Sequence, residues 1–96
     1  MSPRNKKQRN CKCPVKGKAY KPVGIPLREL ERITLYRDEI EALKLCDADG
    51  LTQEEAGVKM GISRGTVQRI LSAGRRKVAY ALSECKALVL EKTICR

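Results

Sequence analysis

The sequence predicts a mainly α chain built on a helix-turn-helix, with its two ends paired as short strands. Three observations predict it. Residues 52–70, TQEEAGVKMGISRGTVQRI, carry two helix starts separated by a turn glycine. An apolar stripe then continues through Val67, Leu71, Gly74, Val78, Ala81, Leu82 and Cys85, so the second helix runs well past the motif. The extended candidates, residues 19–23 and 86–94, lie at opposite ends of the chain. Together these describe a winged-helix-like core of three to four helices with a two-stranded pairing of the ends, or the same strands exchanged in a dimer.

In chain order, residues 1–18 form a basic arm. Its first ten residues, MSPRNKKQRN, have almost no apolar surface to offset their ordering entropy and are expected to be disordered when free. Such an arm either tracks DNA phosphates or only solubilises the chain. Residues 19–96 make the folded domain, in which Pro22 confines the first strand to a sheet edge. Gly24 and Pro26 make a turn. Pro26 suits a first helical position, and Leu27, Leu30 and Ile33 recur at helical spacing, which predicts a short helix over residues 26–32. A longer helix follows over residues 36–48, with Tyr36, Ile40 and Leu43 along one stripe and Asp38, Glu39 and Glu41 favouring its N-terminal end. Gly50 ends it, and Cys46, among apolar neighbours, is a small core residue.

Thr52 and Glu55 form a capping box, so the next helix starts at Gln53. Ala56 and Gly57 are small enough for a second helix to approach closely, and Gly61 is the residue best able to take positive φ at the turn. Ser63 caps the second helix, which places Val67, Ile70 and Leu71 on one face and Arg64, Gln68 and Ser72 on another. That helix reaches about Glu84. Leu88, Val89, Leu90 and Ile94 then suit a strand.

Charge points to a polyanionic partner: 21 Lys and Arg against 11 Asp and Glu leave +10. Residues 1–22 hold 8 basic and no acidic side chains, leaving 13 basic against 11 acidic, or +2, for the rest. Within the folded part, residues 28–55 have 4 basic and 9 acidic side chains, whereas residues 56–83 have 6 basic and none acidic. One face should therefore be positive, and it contains the second helix of the motif. An enzyme is not expected, because 96 residues with no His offer no nucleophile paired with a base and no phosphate-cradling glycine loop. No cofactor is expected either. No apolar run approaches the roughly 20 residues of a membrane span, so a cytoplasmic protein is expected, with its five cysteines as reduced thiols. Cys11 and Cys13 would hold a zinc ion only if the chain ends packed together and Cys85 and Cys95 completed four thiolates; otherwise they are unligated.

The strings KPVGIPLRELE, DGLTQEEA and the run from SRGTVQRI to GRRK carry a family resemblance. From about Lys21 to Glu91 the chain resembles a family of small prokaryotic proteins predicted to bind DNA, known as uncharacterised protein family 0251 or domain of unknown function 134. Their core is similar to region four of bacterial sigma factors. The resemblance implies that Ser63, Arg64, Gly65, Gln68 and Arg69 face the major groove, and that Thr52 and Gln53 approach the phosphate backbone.

The expectation that follows is sequence-specific binding of double-stranded DNA by a transcriptional regulator whose reading helix starts at Arg64. Arg64 and Arg69 would read guanine and Gln68 adenine, with Ser63 and Thr52 also touching phosphate. Thr66, Ser72, Arg75, Arg76 and Lys77 are assigned to phosphates as well, the last three sitting too far along the helix for base readout. A homodimer is expected because one helix-turn-helix covers half of a typical operator. Two other classes stay open: an RNA or ribosome-associated binder, disfavoured by three Tyr and no Phe or Trp, and a sigma-like adaptor that contacts RNA polymerase.

Overall fold

The computed structural model describes residues 18–91, so the expected basic arm lies outside the described residues except for Lys18. Strands β1 (Ala19–Tyr20), β2 (Arg32–Leu35) and β3 (Ala87–Leu90) accompany helices α1 (Arg37–Leu43), α2 (Gln53–Met60) and α3 (Arg64–Glu84).

The helix-turn-helix forms where its caps dictate. The Thr52 hydroxyl accepts from the Glu55 amide at 3.1 Å while the Glu55 carboxylate accepts from the Thr52 amide at 2.9 Å, satisfying two orphan donors of α2. Gly61 ends α2 in the left-handed region, φ 73°, and Ile62 N–H donates back to the Gly57 carbonyl. Ser63 then starts α3 by accepting from the Thr66 amide at 3.2 Å. Over its 21 residues α3 extends roughly 31 Å. Its inner face buries Val67, Leu71, Gly74 and Ala81. Val67 packs with Ala56 of α2 and Leu45 into one cluster, against which Cys46, Leu51, Met60 and Ile62 are half-buried. Leu82, expected in the stripe, is 75% exposed instead. Cys85, the last residue of that expected stripe, is exposed as well. The buried positions 67, 71, 74 and 81, with half-buried Val78 between the last two, advance by three or four residues, and Leu82 sits one residue and about 100° beyond Ala81. Cys85 ends α3 with φ 57°, a left-handed position that favours glycine, while Lys86 N–H reaches back to the Ala81 carbonyl.

The chain ends do pair: β1 runs antiparallel to β3, with Ala19 opposite Val89 and Tyr20 opposite Leu88. The sheet has three strands, however, in the order β1-β3-β2, and β2 lies parallel to β3 with Ile33 opposite Leu88 and Leu35 opposite Leu90. The expected helix over residues 26–32 is therefore a single 3₁₀ turn, Leu27–Glu29, after which Leu30 is already extended. The reason lies in β3. Ala87 and Leu88 are buried, so both edges of that strand need backbone partners, and Ala87 N–H donates to the Glu31 carbonyl while Glu91 N–H donates to the Leu35 carbonyl. β-Branched Ile33 and Thr34 suit that extended edge.

The next helical stretch covers the expected range, Arg37 to Ala48, but changes type along its length. α1 starts after Tyr36, whose amide is capped by the Glu39 carboxylate at 2.9 Å, and its last turn widens into a π-helix, Lys44–Ala48. Gly50, at φ 78°, releases the chain toward α2. Gly74 lets α1 lie close to α3: a Cβ there would come within 3.2 Å of Leu43 Cδ1 and 3.4 Å of Glu39 Cβ. No helix among the described residues is long and apolar enough to cross a membrane.

Candidate nucleic-acid interface

The inner face of α3 is closed by the core, so its outer face is what α3 presents. Arg64, Gln68, Ser72 and Arg76 follow one another at four-residue steps along it, with Gly65, Arg69 and Arg75 beside them, and all seven are exposed. No acidic residue precedes Glu84 in the helix, and its first turn has none to offset the positive end of its dipole. Among the described residues Arg64, Arg69 and Arg76 make no salt bridge, so these three guanidinium charges have no carboxylate partner there.

The five residues expected to read bases are thus brought together at the start of α3. Ser63 is exposed and its hydroxyl also lies 2.9 Å from the Thr66 hydroxyl, which in turn accepts from Arg69 Nη2 at 3.3 Å. A chain of hydroxyls therefore steadies Arg69, while Thr66 itself, expected at a phosphate, is half-buried and engaged. No atom would meet a Cβ at Gly65 within 4 Å, so packing in this protein does not require glycine there.

The phosphate set divides. Thr52 is exposed at the tip of α2 with its oxygen accepting, which leaves its O–H to donate outward; Gln53 beside it is half-buried. Ser72 and Arg76 face solvent. Arg75 donates from Nε and Nη2 to the two Asp47 oxygens, at 3.1 and 2.6 Å. That pair of hydrogen bonds holds the Asp47 carboxyl below the usual carboxylate range, against a small opposing effect of burial. Lys77 departs from its expected place. Its ammonium turns toward α1, donating to Glu39 Oε1 and the Thr34 carbonyl at 2.8 Å each and lying 4.6 Å from the centre of the Tyr36 ring. Glu39 is 3% exposed, so Lys77 is spent on a buried carboxylate and does not face outward.

Asp47 and Glu39 are the residues that sequence reasoning missed. Their partners lie 28 and 38 positions away, beyond any local periodicity. Of the four cysteines considered for a metal, Cys11, Cys13 and Cys95 lie outside the described residues, and Cys85 is exposed. Among the described residues no group of three or more His, Cys, Asp or Glu side chains is placed to hold a metal ion.

Comparison with known proteins places this arrangement in a family. The family model described as "Protein of unknown function DUF134" matches residues 1–93. A UPF0251 protein of Vibrio vulnificus is 48% identical over 88 residues, covering 92% of this chain and 88% of its own length. One from Shewanella piezotolerans is 44% identical over 91 residues, covering 95% and 91% respectively. A UPF0251 protein of Halothermothrix orenii is 50% identical over 72 residues, or 75% of this chain, but the match spans only 53% of that protein. The chain thus spans about half the length of some curated relatives it matches. No solved structure matches. With residues 1–93 of its 96 matched by the family model and relatives close to half identical, this chain belongs to the DUF134 family, whose curated members carry the name UPF0251.

Proposed function

We propose that the protein binds double-stranded DNA in a sequence-specific way, as a transcriptional regulator that places the N-terminal turns of α3 in the major groove. The observation that carries this reading is the outer face of α3: a capped helix with a fully packed inner side and an exposed, acid-free row of Arg64, Gln68, Arg69, Ser72 and Arg76. A helix fits the roughly 12 Å major groove, and Arg and Gln are the side chains whose paired donors and acceptors match guanine and adenine edges. The Thr52 and Ser63 caps sit at the two helix starts, where a phosphate would meet both a hydroxyl and a positive dipole end. In this reading the protein works in the cytoplasm, has no catalytic role and uses no cofactor. A two-fold dimer would cover an operator of two half-sites, and contact with RNA polymerase would follow from its action at promoters.

Selection of bound fragments from genomic DNA, followed by competition between the enriched duplex and RNA of the same sequence, tests the reading. An enriched motif that RNA fails to displace is the expected result; preference for RNA would overturn it. The two arginine classes then separate. Arg69→Ala should relax base preference by about 1–3 kcal/mol at one position, whereas Arg76→Ala should weaken all duplexes alike and flatten the salt dependence by about one charge. Equal weakening of every duplex by both changes would remove base readout from Arg69.

A further inference from the structure

We propose that Asp47 is a positioning residue for a DNA phosphate: it clamps one edge of the Arg75 guanidinium so that the other edge is presented to the backbone of a duplex lying on α3. This rests on the DNA-binding reading above. Asp47 accepts from Nε and Nη2, which uses two of the five guanidinium N–H donors and leaves three on the remaining edges. The Arg75 side chain is 54% exposed, which leaves it accessible to a ligand on the side away from Asp47. Arg75 stands ten residues beyond Gly65, or about 15 Å along the helix axis, which exceeds the roughly 12 Å width of the major groove. A helix reading bases with its first turns passes the sugar–phosphate backbone at that point. A free arginine there would lose side-chain freedom on meeting a phosphate; one already held in a two-point clamp has lost much of it.

Asp47 owes its place to the irregular end of α1. The segment Lys44–Ala48 is a π-helix, with Asp49 N–H bonded back to the Lys44 carbonyl at 2.8 Å. Such widened turns are uncommon and recur at functional sites. Within the same turn Asp49 is held by Lys44 at 2.7 Å, so Asp47 is the carboxylate of the turn left to meet α3. The alternative is a surface ion pair that merely cancels a positive charge. The two differ in sign: a cancelling carboxylate weakens DNA binding, and a clamping one strengthens it.

Fluorescence anisotropy with a labelled mixed-sequence duplex of about 30 base pairs, titrated with the full chain at several sodium chloride concentrations, separates them. Asp47→Ala is expected to weaken binding about threefold to tenfold and to lower the salt slope by about one, although it removes a negative charge. In an Arg75→Ala background the same change should no longer weaken binding, because only the repulsive carboxylate is then removed. Asp47→Asn keeps the shape and one acceptor oxygen, and should fall between the two if Asp47→Ala proves unstable to heat. Tighter binding by Asp47→Ala or Asp47→Asn, with Arg75 intact, would overturn the clamp and leave the DNA reading standing. Wild-type protein that bound no duplex would overturn both.

Discussion

Gly57 has no room for a side chain. A Cβ built there would sit 2.7 Å from the Ile62 carbonyl oxygen and 3.5 Å from Val67 Cγ2, and the first contact is with backbone that the turn holds in place. Alanine ordinarily gains about 1 kcal/mol over glycine inside a helix. Here overpacking reverses the sign, so Gly57→Ala should lower stability by about 1–3 kcal/mol, read as a lower urea midpoint with an unchanged slope. A midpoint at or above that of the wild type would show that the turn yields. The need for a small residue at this position was legible in the sequence because the motif brings two helices together within a few residues. Leu82 was misread for a related reason: apolar character marks a stripe only when its angular position agrees, and one residue moved it out of the core.

At the scale of elements, the basic run Arg75, Arg76 and Lys77 shows how a helix distributes identical charges. Successive residues turn by about 100°, so Arg75 meets the π-turn, Arg76 faces solvent and Lys77 meets α1. Glu39 joins three elements. Its Oε1 caps the start of α1 at Tyr36 and accepts from Lys77 of α3, whose ammonium also holds the Thr34 carbonyl at the end of β2. Lys77→Met would leave the buried Glu39 carboxylate without its cation and should cost about 3 kcal/mol in chemical unfolding, with little change in DNA affinity. A marked loss of affinity at unchanged stability would return Lys77 to the DNA face. The sequence marked these residues as charged and helical but held no sign of their pairing, since α1 and α3 meet through contacts nearly forty positions apart.

The whole molecule is polarised, with acidic side chains concentrated before α2 and none through most of α3. A net charge of +10 disfavours compactness through self-repulsion, and protonating carboxylates adds to it. Asp47 titrates below the usual carboxylate range in the folded protein, so its pairing contributes stability above the ordinary value of about 3.9 and loses it as pH falls through the lowered folded value. Between about pH 5 and about pH 2.5 the urea midpoint of the wild type should therefore fall somewhat more than that of Asp47→Asn. The difference should be small because the pair is exposed. Parallel curves for the two proteins would show that Arg75 does not favour the ionised carboxylate.

The sequence by itself determined the local parts of this protein: the Thr52 and Ser63 caps, the Gly61 turn, the length of α3 and the pairing of the chain ends. Each rests on residues within one or two turns of one another, or, for the strands, on there being few extended partners to choose from. Only the tertiary structure decided that Arg32–Leu35 is a strand, because its partner β3 lies more than fifty residues away and parallel pairing leaves no hairpin to read. The same holds for the candidate interface. Capping and periodicity placed Arg64, Gln68 and Ser72 on one face, whereas the clamp on Arg75 and the inward turn of Lys77 depend on carboxylates delivered by α1 and its π-turn, whose positions exist only once the helices have packed.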